Sequence, residues 1–157
     1  MRKHNACCGV LSDWLEARGC HVQREVVLPT AHDNQLQSRM DLIVFAPPID
    51  GPIYIDLTVV NAASREALAR GSADHEGVAA SIATDRKRRA YPNIPVTPFV
   101  IEDSGRLGEL ALKLVRKVAP ADPTARSTAI SELYQSLGAT LQRQAANAVL
   151  ASMAPRI

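Results

Sequence analysis

Nowhere in the 157-residue sequence does an apolar run approach the ~18 residues that a membrane-crossing helix needs. The start, Met1-Arg-Lys-His-Asn5, has no apolar stretch of signal-peptide type behind it. The expectation is therefore an intracellular protein with no membrane partner. Cysteine is scarce and odd in number (Cys7, Cys8 and Cys20), which excludes a disulfide-held scaffold and reads as reduced thiols. Internal repeats and low-complexity tracts are missing too. No sign of charge dominates: a net +2 is too small to indicate a polyanionic partner by itself. What is there is an ordinary globular balance, 46% apolar and 22% charged, which excludes disorder and collagen. A chain of this length buries roughly 70% of its unfolded surface, enough for a true core.

Asn5 to Arg18 carries Ala6, Val10, Leu11, Trp14 and Leu15 at helical spacing, and Gly19 stands where a helix-stopping glycine belongs. His21 to Leu28 alternates and is rich in β-branched residues, predicting a strand closed by Pro29, with Thr30 to Gln37 a polar turn. Two further strands, Ser38 to Ala46 and Pro52 to Val60, flank Pro47-Pro48-Ile49-Asp50-Gly51, which predicts an antiparallel hairpin. Ala62 to Arg70 is helix-prone, Gly71 to Gly77 a loop, and Val78 to Tyr91 a helix ended by Pro92. Pro95 to Glu102 is a fourth strand, and its internal Pro98 assigns it to an edge or an irregular segment. Asp103-Ser104 is the expected N-cap of a helix from about Arg106 to Val118. After Pro120 to Pro123, Thr124 to Ala154 is helical, with Ile130, Leu133, Leu137 and Leu141 on one stripe and Glu132 its only acid. The order implies an α/β fold with a small mixed sheet flanked by helices. A core at 1–119 precedes an extra C-terminal helix at 120–157, packed on it.

The acids on the strands carry the chemistry. In Pro52 to Val60, pleating puts Ile53, Ile55, Leu57 and Val59 on one face and Tyr54, Asp56, Thr58 and Val60 on the other. Asp41 lies in the preceding strand within Met40-Asp-Leu-Ile-Val-Phe45. A carboxylate inside a core strand is costly without a cation or hydrogen-bond partner. Hairpin pairing brings Asp41 and Asp56 to one face, where two carboxylates repel unless a divalent cation takes them. Such oxygen ligands suit Mg²⁺ or Mn²⁺. Lys87, in the basic run Arg86-Lys-Arg-Arg89, is one helical turn before Tyr91. A lysine beside a metal site can orient water and offset charge on a phosphate. Arginines around it suit a phosphate backbone.

Arg39-Met-Asp41, fourteen residues, Asp56, and a later Lys87-Arg-Arg-Ala-Tyr91 together resemble the restriction-like endonuclease domain of site-specific non-LTR retrotransposons, a branch of the PD-(D/E)XK nuclease superfamily. The flanks are similar as well: Gly19-Cys-His-Val-Gln-Arg-Glu25 before the motif, Asp56-Leu-Thr-Val59 in the second acid's strand, and Asp103-Ser-Gly-Arg-Leu-Gly108 and Leu141-Gln-Arg143 downstream. Met40 stands where the family has proline, and Thr58 where the superfamily's usual motif has lysine. The branch that this chain resembles moves that lysine to the helix, which makes Lys87 its substitute. The resemblance implies a PD-(D/E)XK core and metal-dependent hydrolysis of DNA to 5′-phosphate and 3′-hydroxyl, nicking a target for retrotransposon integration. It makes Asp41 and Asp56 metal ligands, Lys87 the residue assisting the water, and Tyr91 and Glu25 supports of the site. Arg39, Arg86, Arg88, Arg89 and Arg143 become phosphate contacts. It further implies DNA as partner, a reverse transcriptase region in a larger polyprotein, and a nuclear location for a eukaryotic element.

Two alternatives keep the fold: a non-catalytic nucleic-acid-binding remnant, or a junction-resolving nuclease acting as a homodimer. His4, Cys7, Cys8, Cys20 and His21 invite a zinc site, but adjacent Cys7 and Cys8 point about 100° apart on a helix and no C-x-x-C knuckle exists. The expectation is that they hold no zinc. Glu16 and His75 are read as solvent-facing, and Trp14 as core.

Overall fold

A computed structural model of the chain describes residues 3–28 and 38–153. The expected stop at Pro29, the turn at Thr30 to Gln37 and the end of the last helix at Ala154 lie outside the described residues. The elements are α1 (Lys3–Glu16), β1 (His21–Leu28), β2 (Ser38–Phe45), β3 (Ile53–Val60), α2 (Arg65–Ala69), α3 (Val78–Ala90), β4 (Val96–Glu102), α4 (Glu109–Val118) and α5 (Pro123–Met153).

The strands form one mixed sheet in the order β1-β2-β3-β4. β1 with β2 and β2 with β3 are antiparallel, and β3 with β4 is parallel. The β2–β3 connection is the expected reversal, with Ile49 N–H bonded to Ala46 O at 2.7 Å and Gly51 at φ +80°. β4 is an edge strand, which is where Pro98 can omit its ladder donor without breaking a second pairing.

Helices cover both faces of the sheet. Leu42, Val44, Ile55, Leu57, Phe99 and Ile101 point to one face. They pack there against Cys7, Leu11 and Leu15 of α1, Ala111 and Val115 of α4, and Leu133 and Leu137 of α5. The opposite face of β3 and β4 presents Val60 and Val100 to Ala80 and Ala83 of α3. This is an α/β fold with a four-stranded mixed sheet between helical layers.

α1 starts two residues earlier than the spacing predicts and stops at Glu16. Its end has the geometry expected of Gly19: φ is +77°, Gly19 N–H bonds Glu16 O and Cys20 N–H bonds Leu15 O. Trp14 joins α1 to α5 by donating its indole N–H to Ala129 O at 2.7 Å, and the Arg18 guanidinium lies 4.0 Å over its ring. The stripe expected in the last helix is the docked one: Leu133, Leu137 and Leu141 are buried and Ile130 packs against them. From Ala145 to Met153 every residue is exposed, so the final turns project away from the body.

One expected boundary is corrected. Asp103 and Ser104 do not cap a helix at Arg106; α4 begins at Glu109 behind Gly108, which offers no side-chain cap. The backbone instead doubles back on β4, with Glu102 N–H bonded to Arg106 O, Gly105 N–H to Glu102 O and Gly108 N–H to Val100 O, each at 2.8 Å. The physical reason is packing: a Cβ on Gly108 would meet Ala80 Cβ at 3.3 Å and Val100 Cβ at 3.4 Å. The glycine lets the return strand close between β4 and α3. Asp103 is used elsewhere, accepting the Ala62 N–H at 3.3 Å.

The docking of α5 gives the first prediction. Leu133→Ala should lower unfolding stability by about 2–5 kcal/mol, whereas Leu150→Ala, on the exposed end, should stay within about 0.5 kcal/mol. Urea denaturation followed by circular dichroism checks both, and equal effects would contradict the packing.

Candidate functional site

Asp41 on β2 and Asp56 on β3 come from adjacent strands. The β2–β3 ladder pairs Leu42 with Ile55, Ile43 with Tyr54 and Val44 with Ile53. Just beyond it the Asp41 carboxylate takes the Leu57 N–H at 2.7 Å, a position that a ladder carbonyl would otherwise fill. The same oxygen, Oδ2, lies 3.0 Å from His4 Nε2 on the first turn of α1. Among the described residues, Asp41 Oδ1 has no hydrogen-bond donor. Burial pushes the Asp41 carboxyl above its ordinary value, against the opposing pull of the His4 and Leu57 bonds, and the nearby Asp56 charge adds to the rise.

Asp56 is buried, only 5% exposed. Both of its oxygens accept from Lys87 Nζ at 2.8 Å. Lys87 arrives from α3, and the placement of that helix follows from its sequence. Ala80, Ala83, Lys87 and Tyr91 fall on one stripe at spacings of three and four. The two alanines are small enough for the helix to close on Val100 and Val60. The N-terminus of α3 lacks a side-chain cap of its own, since Gly77 occupies that place at φ +76°. Buried Glu102 supplies an acceptor from β4 instead, taking the Ala80 N–H at 3.3 Å. Asp56, Thr58, Val60 and Glu102 alternate onto the α3 side of the sheet. One carboxylate therefore holds the start of the helix, a hydrophobic patch its middle, and a second carboxylate its lysine.

Lys3, His4, Asp41, Asp56, Thr58, Lys87 and Asp103 line a single open cavity of about 610 Å³. Thr58 lines it at the position where the resembled motif would carry lysine, and Lys87 reaches the same space from the helix. Tyr91, one turn beyond Lys87, has its phenol pushed up to about 12, first by burial and then by the Asp56 and Asp41 carboxylates it faces. Oxygen donors of two carboxylates opening on water are a donor set that fits a hard divalent cation such as Mg²⁺ or Mn²⁺.

The other singled-out residues lie elsewhere. Glu25 has φ +54°, a left-handed turn within β1, and pairs with Arg39 at 2.7 Å on an exposed surface; neither lines the cavity. The basic run fans around α3. Arg86 pairs with Glu66 of α2 at 2.8 Å, Arg88 lines a separate cavity beside Arg106 and Lys113, and Arg89 is exposed. Arg143 lies on α5, 3.3 Å from Thr140 Oγ1. Glu16 takes the Ser12 hydroxyl, and His75 lines a third cavity with Glu76 and Arg106.

His4 is the contributor that sequence reasoning missed. It was weighed only with Cys7, Cys8, Cys20 and His21, and the structure divides that set. His21 stacks near Phe45 with centroids 6.0 Å apart, all three cysteines are buried in the core, and of them Cys8 also lies beside His4 and Asp41. The available signal was the four-residue spacing of His4 and Cys8; their acidic partner lies 37 positions away, on a strand. Glu102 was missed as well, although a lone acid closing the apolar run Phe99-Val-Ile101 is a visible sign of a buried carboxylate.

No known family model matches the chain, and no curated protein matches it.

The site predicts energetic coupling. Lys87→Met leaves a buried carboxylate without its cation and should cost about 2–3 kcal/mol of stability. Asp56→Asn in the same background should restore part of the loss, giving a coupling of at least about 1 kcal/mol in a double-mutant cycle measured by urea unfolding. Additive losses would contradict the ion pair.

Proposed function

We propose that the chain is a restriction-like endonuclease domain of the PD-(D/E)XK type. In this reading it hydrolyses DNA phosphodiesters with Mg²⁺ or Mn²⁺ to leave 5′-phosphate and 3′-hydroxyl ends, nicking target DNA for a retrotransposon. The observation that carries the reading is convergence. Asp41, Asp56 and Lys87, scattered in sequence and borne on three different elements, line one cleft, with Lys87 seated on Asp56. A core lysine–carboxylate pair would serve stability as well inside closed packing; this one opens on solvent.

In this reading Asp41 and Asp56 would hold the divalent cation, which when bound supplies charge neutralisation at the scissile phosphate. The remaining roles belong to the chain's own groups. Once Asp56 is otherwise engaged, the Lys87 ammonium is free to orient an attacking water and to meet the charge growing on the phosphate. Tyr91, held neutral by its surroundings, can donate a hydrogen bond to the same carboxylate or to a phosphate oxygen. Among the described residues, Arg39 and Arg86 are tied up only in exposed ion pairs, worth about 0–1 kcal/mol, which a DNA phosphate can displace.

The reading predicts that purified protein converts supercoiled plasmid to nicked circle with Mg²⁺ or Mn²⁺ and not with EDTA. Asp56→Asn should reduce the rate at least ~100-fold, and Lys87→Met by a similar order. Equal nicking by Asp56→Asn would point to a contaminating nuclease and overturn the assignment.

One observation favours a second reading, a DNA-binding remnant without catalysis. Both acids already have internal partners, the His4 imidazole for Asp41 and the Lys87 ammonium for Asp56. Such a protein would shift DNA on a gel with affinity falling steeply in salt, and would cleave nothing at any metal concentration.

A further inference from the structure

Among the described residues, Cys8 is the one thiol that shares its surroundings with polar side chains suited to a metal. It lies one turn after His4 on α1, is 5% exposed, and has Sγ 3.8 Å from His4 Nε2. His4 Nε2 in turn is 3.0 Å from Asp41 Oδ2. One donor atom from each of the three residues falls within 4.8 Å of the other two. In a tetrahedral zinc site, bond lengths of about 2.0–2.3 Å place neighbouring donors roughly 3.3–3.6 Å apart. The His4–Asp41 and His4–Cys8 separations bracket that range, so closing the set on one ion asks for shifts on the order of 1 Å or less at those contacts.

We propose that His4, Cys8 and Asp41 form a site for a single thiophilic divalent cation of the Zn²⁺ class, with its fourth position open to the cleft.

Three features of the surroundings support it. The ring of His4 is held from behind: its Nδ1 is 3.0 Å from Asn5 Oδ1, which turns Nε2 toward the cluster. The cluster has an entry path, because His4 and Asp41 both line the open cavity and buried Cys8 touches His4. The donor set also differs in kind from the Asp41–Asp56 pair. Thiolate with imidazole selects zinc, whereas paired carboxylates with water select magnesium and manganese. Binding replaces the proton of the Cys8 thiol with the Sγ–metal bond and any proton on His4 Nε2 with the Nε2–metal bond, and releases these protons to solvent. The effect on the fold is a clamp from the first turn of α1 to β2, at a junction otherwise held there by the His4–Asp41 contact. The site shares Asp41 with the proposed nuclease centre but uses neither Asp56 nor Lys87, so it does not rest on that reading.

Cobalt(II) titration of the full chain, stripped of metals and kept reduced, tests the proposal. The expected result is saturation at one equivalent, with tetrahedral visible bands and a near-ultraviolet thiolate-to-cobalt charge-transfer band, all abolished by Zn²⁺. Cys8→Ser should remove the charge-transfer band and His4→Asn should weaken binding at least ~10-fold, as loss of one ligand does. Cys7→Ala and Cys20→Ala should leave the band and the affinity within about twofold. His4→Asn, at a half-exposed position, keeps the test decisive should Cys8→Ser fail to fold. Cobalt binding without the charge-transfer band, or a band that survives Cys8→Ser or falls equally with Cys7→Ala, would overturn it.

Discussion

Asp56 is a full negative charge on an inner strand of a sheet packed on both sides, and the cation that answers it comes from a helix rather than from solvent. Burying a carboxylate alone costs many kcal/mol, so this position needs a partner held in place. Lys87 meets that requirement because α3 is fixed at three points along one stripe: Glu102 at its start, Val60 and Val100 under its alanines, and Asp56 at its end. The ion pair and the docking of α3 are therefore one constraint. Loosening either exposes the other.

Asp41 solves the same difficulty differently. It is less buried and draws on a strand N–H and an imidazole, both on one oxygen. The two acids thus differ in what it takes to free them. Asp56 is released by swinging a flexible lysine stem, whereas Asp41 is bound into the backbone through Leu57 and keeps Oδ1 for the cleft. A site that admits a divalent cation from this state would displace the lysine first and leave the Asp41 scaffold standing.

Much of the architecture was legible in the chain. Alternation and β-branched residues located β1, Pro47 to Gly51 marked the hairpin between β2 and β3, and Pro98 limited β4 to an edge or an irregular segment, because each of these signals is local. The hairpin in turn made the meeting of Asp41 and Asp56 readable, since strand pairing converts sequence distance into register. Lys87 was readable from the KxxxY spacing and from the resemblance, and only the fold could put it on Asp56. What escaped depends on contacts with no local trace. Asp103-Ser-Gly resembles a helix start, yet its backbone is claimed by β4, and Gly108 is needed as a spacer rather than a cap. The basic run reads as one patch in sequence, but consecutive helical positions point about 100° apart, so Arg86, Lys87 and Arg88 serve three different neighbourhoods. His4 belongs to the site only because α1 crosses the strand end that carries Asp41, a relation that no spacing rule encodes.

The central claim is that Asp41 and Asp56 are a cation site which Lys87 occupies by proxy. A crystal structure grown with Mn²⁺ tests it most directly, through anomalous scattering at the metal's absorption edge. The account predicts a peak between the two carboxylates, within about 2.3 Å of an oxygen from each, with the Lys87 ammonium withdrawn from Asp56. A Lys87 that keeps both bonds to Asp56, with no peak between the aspartates at saturating Mn²⁺, would contradict it.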